Sequence, residues 1–313
     1  RKWVEFRKKS FWKRKEASVQ LFSKSFGFFL LAVFFVSSIS ATTYYSIKGA
    51  TNPNDLTLWV DHDTTHDVNW RFYVDTGGGI HHPNSFDIPG DVFFIGNIGD
   101  SLTTENNGYW KVSGEIRIAA GAIFIVNGTD SVQTSGIRLL PGGPGGRIDI
   151  TNSGYILINN GGFIYNKGIL NCISGTIKPN ANGESYSFET TFGGTTNLFS
   201  NIIDVGDNGT FLLSDGTLNT GTGVIEGNSF INEGNGILSI GSPDGITNAP
   251  TMAGNIQTVM RKYVLSFNNS NRYTFTYNGN APQVIGDGLP RFPSDSSCAG
   301  IINIDNSYGI TLN

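Results

Sequence analysis

The sequence predicts an all-β chain wound as a right-handed parallel β-helix, a β-solenoid. A short β-rich C-terminal segment is expected to follow it and an N-terminal signal helix to precede it. Three observations predict this. Gly supplies 41 of 313 residues, yet aromatic residues reach 12%, and a chain that is Gly-rich for want of structure lacks such bulky side chains. Apolar runs of three to five residues end repeatedly in Gly, Asn-Gly or Asn-Asn-Gly-Gly, the punctuation of short strands and tight turns. No segment after residue 41 carries the i, i+3, i+4, i+7 apolar spacing of a helix longer than about two turns.

The first 41 residues stand apart. They hold nine Lys and Arg (Arg1, Lys2, Arg7, Lys8, Lys9, Lys13, Arg14, Lys15, Lys24) against Glu5 and Glu16, then the apolar run Phe26 to Val36, then Ser37-Ser38-Ile39-Ser40-Ala41. A basic region, an apolar stretch and small residues in that order make a secretory signal, with cleavage after Ser40 or Ala41. The rival reading is an uncleaved signal anchor, because the basic region is long. Eleven apolar residues are too few to cross a bilayer core of about 30 Å as a helix, so no stable membrane span is expected in the mature chain. The placement expected is secreted or cell-surface.

Residues 42–106 read as a β-rich entry or cap region, turn-rich around Asn52-Pro53-Asn54-Asp55, with a short strand at Val92–Ile95. Regular repeats are expected over 107–250. Tyr109 to Ile118 alternates apolar and polar residues at period two, Ala119 to Ala122 turns it, and Ile123 to Val126 forms the next strand. The clearest repeat is Gly209 to Ile246, where Gly-x-apolar units return every six to eight residues. One such unit cannot bury its apolar side chain. Stacked turn on turn, the Ile, Leu, Val and Phe positions form a continuous interior column while Gly and Asn take left-handed corners. Stacked Asn corners can also ladder their amides. From 251 to 313 the strands lengthen, and 259–267 with 272–277 read as a hairpin or strand pair around Asn268 to Asn271, at the start of a further repeat module. The chain begins without Met and stops in a strand-like unit, and it reads as a piece of something larger.

The two cysteines, Cys172 and Cys298, are too few for a disulfide scaffold. With about 20 residues per turn and about 4.8 Å between turns they fall roughly 30 Å apart, beyond the ~7 Å a disulfide spans. Two buried free thiols are expected.

The stretch NGYWKVSGEIRIAAGAIFIVNG (107–128) resembles a repeat unit of large Bacteroidetes cell-surface repeat proteins, and 273–313 (YTFTYNGNAPQVIGDGLP to IINIDNSYGITLN) resembles a second repeat of that group. The segment YYSIKGATNPNDLTLW (44–59) is similar to the usual start of their mature chains. The resemblance implies a β-helical, adhesin-like stalk on the outer surface, with type IX secretion through a sorting domain that this sequence does not reach. It supplies no catalytic residues.

The sharpest polar cluster is Asp61, His62, Asp63, His66 and Asp67. Two His at i, i+4 with carboxylates can hold zinc on a helix, but Thr64-Thr65 suit a loop or strand, and a solvated polar loop is the better reading; nothing in the sequence shows that His81-His82 join it in space. No metal is assigned. Asp204 to Gly209, and Asp287-Gly288, have calcium-loop composition without the required spacing, so no cofactor is expected and calcium stays unassigned. Pro141 to Gly146 lacks the Gly-Lys-Ser/Thr end of a phosphate loop. Asn-x-Ser/Thr triplets at Asn127, Asn208 and Asn268 carry little weight in so Asn-rich a chain.

Enzymes on β-helices use carboxylates with Lys or Arg, or carboxylate pairs. Glu115 with Arg117, Asp149 with Arg147, and Glu226 with Glu233 are the candidates, and outward charges that keep repeat surfaces soluble explain them better. The chain is therefore expected not to be an enzyme. Beyond residue 41 there are 12 basic and 23 acidic residues, a formal balance of −11, which disfavours a nucleic-acid partner because phosphate binding needs a basic face. The function expected is an extracellular structural or adhesin-like protein whose partner is a glycan or a surface protein. The alternatives are a carbohydrate-active β-helix enzyme, a polysaccharide lyase or glycoside hydrolase, and a carbohydrate-binding module, for which Trp59, Trp70, Tyr109 and Trp110 are the candidate contacts.

Overall fold

Alternation at period two, broken every few residues by Gly and Asn, gives strands with no room for a helix. The computed structural model describes residues 41–46, 52–61, 81–96, 101–104, 108–143, 145–179, 187–248, 253–264, 274–289 and 300–312. The signal segment, with Ser40, lies outside the described residues; Ala41 is the first of them. Among the described residues the helical content is one 3-10 turn, Leu56–Leu58, whose start is capped by the Asp55 carboxylate accepting the Thr57 N–H at 2.9 Å. No helix among the described residues is long and apolar enough to cross a membrane.

The strands wind into a parallel β-solenoid of about eight turns, and each turn visits three faces in order. The first visit is Val92–Ile95, the second Ser101–Thr103, the third Tyr109–Lys111. The next turn repeats the cycle with Glu115–Ile118, Ile123–Val126 and the start of Ser131–Leu139, each pairing in parallel with its predecessor. Ser131–Leu139, Gly154–Asn166, Val224–Glu233 and Ile256–Val264 run unbroken from the third face into the first, which fuses those faces into one 13-stranded sheet, while the second face is a separate nine-stranded sheet. Gly154–Asn166 turns the corner with a shift of register between Ile158 and Phe163. Corners are tight: a side chain at Gly168 would place its Cβ 2.0 Å from the Gly146 carbonyl oxygen.

Every second residue points inward, so each face contributes one interior column. The first face stacks Phe93, Ile116, Ile137, Ile164, Phe188, Phe211 and Phe230 in register. The third stacks Trp110, Val132, Ile156, Ile177, Ile203, Ile225 and Ile256. The second stacks Leu102, Phe124, Ile148, Leu170, Thr196, Leu218, Leu238 and Phe275. All these side chains are buried, each large apolar one contributing roughly 1.5–3 kcal/mol. Thr196 is the polar exception; its hydroxyl lies 2.8 Å from that of Thr190 and accepts from Asn166 Nδ2 at 2.9 Å. Cys172 is a buried free thiol, and burial pushes its pKa up to about 12; Cys298 lies outside the described residues.

The corners are held by amides that replace the backbone partners a turn loses. Asn255 accepts the N–H groups of Gly241 and Ser242 at 3.1 and 2.9 Å and donates to the carbonyls of Gly221 and Gly223 at 3.0 and 2.6 Å. Gln283 likewise accepts from Gly279 N–H and Asn306, and donates to the carbonyls of Ile240 and Ser242.

Two boundaries differ from the sequence reading. Parallel pairing already begins in the expected entry region, since Thr43–Ser46 pairs in parallel with Val92–Ile95 and Ser101–Thr103 lies on the second face. Trp59–Asp61 runs antiparallel on Thr43–Ser46 at the edge of that sheet, a reversal that ends the parallel register. At the other end the expected strand pair divides between the sheets: Ile256–Val264 pairs with Val224–Glu233, and Thr274–Tyr277 with Ile237–Ile240 and then Ile301–Ile304, all in parallel. Alternation cannot separate a hairpin from two faces of one turn, because both show period two and only the long-range partner differs.

Candidate functional site

Asp61 and His81 meet. Asp61 Oδ1 accepts the His81 backbone N–H at 3.0 Å, and Oδ2 lies 3.0 Å from His81 Nδ1. His82 Nδ1 lies 2.7 Å from the Trp59 carbonyl oxygen. These contacts tie residues 81–82 to the antiparallel edge strand. His62, Asp63 and His66 lie outside the described residues, and among the described residues no group of three or more His, Cys, Asp and Glu is placed to hold a metal.

The aromatic contacts expected for a glycan need correction at two positions. Trp59 and Trp110 are 1% and 0% exposed. Their rings stack at 5.6 Å and 18°, and Trp110 meets Phe124 edge-on at 5.6 Å. Trp59 Nε1 donates to the Pro53 carbonyl at 3.0 Å. Alternation is the cause: in Tyr109–Lys111 the middle residue points inward, so Trp110 joins the core while Tyr109 faces out, 52% exposed, its hydroxyl donating to Gln133. Trp70 lies outside the described residues.

Two of the three charged candidate pairs, Glu115 with Arg117 and Asp149 with Arg147, form ion pairs within the repeats. Glu115 holds Arg117 of its own strand at 3.0 Å and Arg138 of the next turn at 2.6 Å. Arg147 and Asp149 pair at 2.7 Å. Asp204, in the calcium-like segment, accepts the Gly206 N–H at 2.8 Å and pairs with Lys178 at 3.0 Å. The hydrogen bond to Asp204 raises the Lys178 pKa above its ordinary value. Asp287 accepts the Asn248 N–H at 2.8 Å. Glu226 and Glu233 sit at opposite ends of Val224–Glu233, which turns a corner between them. Glu189 is half-buried, and burial raises its pKa against the opposing pull of Lys167.

On the second face the outward residues assemble across turns. Asn171, Asn197 and Asn219 stack in register. Asn219 Nδ2 donates to Asn197 Oδ1, Asn197 Nδ2 to Asn171 Oδ1, and Asn171 Nδ2 to Asp149 Oδ1, each at 2.7 Å. Each carboxamide in the row donates one N–H to its neighbour in the turn before.

Two residues that the sequence reading passed over border this face. Phe192 and Phe199 are 69% and 51% exposed, and both have left-handed backbones, φ 50° and 58°. For a bulky residue that conformation costs of order 1–3 kcal/mol. The corner itself imposes it: in the next turns the corresponding positions are Asp215 (φ 53°) and Gly234 (φ 63°) at the Phe192 corner, and Gly221 (φ 54°) at the Phe199 corner. The signal was present in the text as Phe192-Gly193-Gly194, an aromatic residue inside turn chemistry.

The fold and this surface define a β-solenoid with an amide-laddered outer face. In comparisons with known proteins, no family model, curated protein or solved structure matches the chain.

Proposed function

We propose that the chain is a structural, adhesin-like β-solenoid, secreted or held at the cell surface, that acts as a stiff spacer presenting its outer faces to a glycan or a surface protein. The observation that carries the reading is a division of labour between the faces of each turn: three interior columns that are apolar except at Thr196, and an outward Asn row that recurs in register over three successive turns. A scaffold needs that translational repetition, and an extended surface made of equivalent turns suits extended partners. The basic and apolar leader supports export, and the likeness of 107–128 and 273–313 to Bacteroidetes surface repeats supports the outer surface as the destination, with type IX secretion as the route.

The test is surface labelling and protease shaving of intact cells carrying an epitope-tagged chain, paired with attachment assays on a deletion strain. Surface exposure with weakened attachment is expected. A chain that stays inside the cell, or a deletion strain that attaches as the parent does, overturns the reading.

A further inference from the structure

The second face carries a feature that scaffolding alone leaves unexplained. Across three successive turns the Phe192 corner holds Phe192, Asp215 and Gly234, all left-handed. Asp and Gly are ordinary occupants of that backbone region, and Phe is not. The same contrast holds at the far corner, where Phe199 is followed by Gly221, whose Cβ, were it present, would lie 2.3 Å from the Phe199 carbonyl oxygen. Both exceptions fall in one turn, at the two ends of the same short strand, Thr195–Asn197. Both rings are exposed, in a chain whose other described phenylalanines largely fill the interior. Strain retained at two positions that together bracket one surface points to use of that surface.

The outward positions of the strand between the rings are uncharged, and charge borders them: Lys167 at the Phe192 ring, Asp215 at the same corner one turn on, and the Arg147–Asp149 pair beyond Asn171. Thr195 and Asn197 are those positions, with Asn171 in the turn before and Asn219 in the turn after. Lys167 Nζ sits 3.9 Å from the centroid of Phe192 and 4.8 Å from that of Tyr165, which holds the Phe192 ring from one side. Exposed aromatic rings pack on the C–H faces of sugars, as they do on other apolar surface. Side-chain amides, each donor and acceptor at once, match hydroxyls. The turns repeat at about 4.8 Å, so the donors and acceptors form a row suited to an extended polymer. Charge decides its class: a neutral row on a body of formal balance −11 disfavours a polyanion.

We infer that Phe192 and Phe199 bracket a binding surface for a neutral polysaccharide, with Thr195 and the Asn171–Asn197–Asn219 row supplying the polar contacts. This assignment rests on the adhesin-like reading and names its ligand class.

The experiment uses the full chain and a double variant, Phe192→Asn with Phe199→Asn, in affinity electrophoresis and calorimetry against a soluble β-glucan and a mannan, with alginate as the anionic comparison. Asn tolerates the left-handed backbone, so the variant removes the rings without disturbing the corners. At least one neutral polymer is expected to retard the parent chain, alginate is not, and the variant is expected to bind at least tenfold more weakly with a melting temperature unchanged or raised. The inference is overturned if neither neutral polymer binds, if alginate binds as well, if the variant binds like the parent, or if the variant melts lower, which would make the rings structural. Sedimentation velocity covers the remaining occupant: a ring-dependent dimer without polysaccharide binding assigns the face to a second copy and overturns the ligand. If no polymer binds while deletion still weakens attachment, the ligand class falls and the adhesin-like reading stands.

Discussion

The ring of Phe211 lies 4.7 Å from that of Phe188 and within 14° of parallel, although 23 residues separate them in the chain. Phe230 extends the stack at 5.7 Å. The stack forms because each Phe occupies the same inward position of its turn, so the parallel register aligns like with like.

Replacing the middle ring tests how much one turn depends on its neighbours. Phe211→Ala is expected to cost about 3–5 kcal/mol and Phe211→Leu about 1–1.5 kcal/mol. Urea titration followed by circular dichroism gives both values. Equal, small losses would show that the column adapts around a missing ring.

The corner amides should outweigh those of the outer row. Asn255→Ala removes four hydrogen bonds and orphans two N–H groups and the Gly223 carbonyl at a buried corner, at an expected cost of about 3 kcal/mol or more. Asn219→Ala removes one ladder bond at a half-buried position and is expected to cost less than about 1 kcal/mol. Thermal denaturation of the two variants side by side measures the contrast.

Cys172 predicts an alkaline limit. Burial raises its pKa from 9.0 to about 12, so the folded state holds the proton after the unfolded state has released it. The stabilising contribution is complete below pH 9 and is lost progressively as the pH rises toward 12. Cys172→Ala, though less stable overall, should show a shallower fall of stability across that interval. In the native chain the thiol should resist a disulfide reagent at pH 8 until denaturant is added.

Glu189 gives the matching prediction on the acid side. Burial raises its pKa, with Glu233 adding to the shift while Lys167 and Arg138 oppose it. The folded state therefore favours the protonated acid, and ionisation near neutral pH is a destabilising contribution. Glu189→Gln should be more stable than the parent at pH 7, with the advantage shrinking as the pH falls through the ordinary carboxylate range. Melting curves at pH 7 and pH 4 test the sign.

How much of this was legible follows from what each pattern encodes. Period-two alternation in Glu115–Ile118 and Ile123–Val126 placed the strands and their inward residues, because it depends only on neighbours in the chain. It did not reveal that Trp110 continues a column with Val132 and Ile156, since that partnership spans whole turns. Sequence alone therefore suits Trp59 and Trp110 to surface contacts, although both fill the core. Ile256–Val264 and Thr274–Tyr277 carried the right strand signal and the wrong partners for the same reason. Phe192 and Phe199 stayed hidden because an aromatic residue normally announces a core position, and only the corner geometry reveals these two as outward. Asp61 and His81 lie twenty residues apart, and no local pattern joins them.

The parallel register also governs how the molecule would yield to a pull on its ends. Because each turn bonds only to the turns before and after it, tension peels the terminal turn while the rest stays intact. Each event releases about twenty residues, or roughly 70 Å of extended chain, so the molecule lengthens in steps and absorbs work at every one. A solenoid built this way yields to load one turn at a time rather than in a single event.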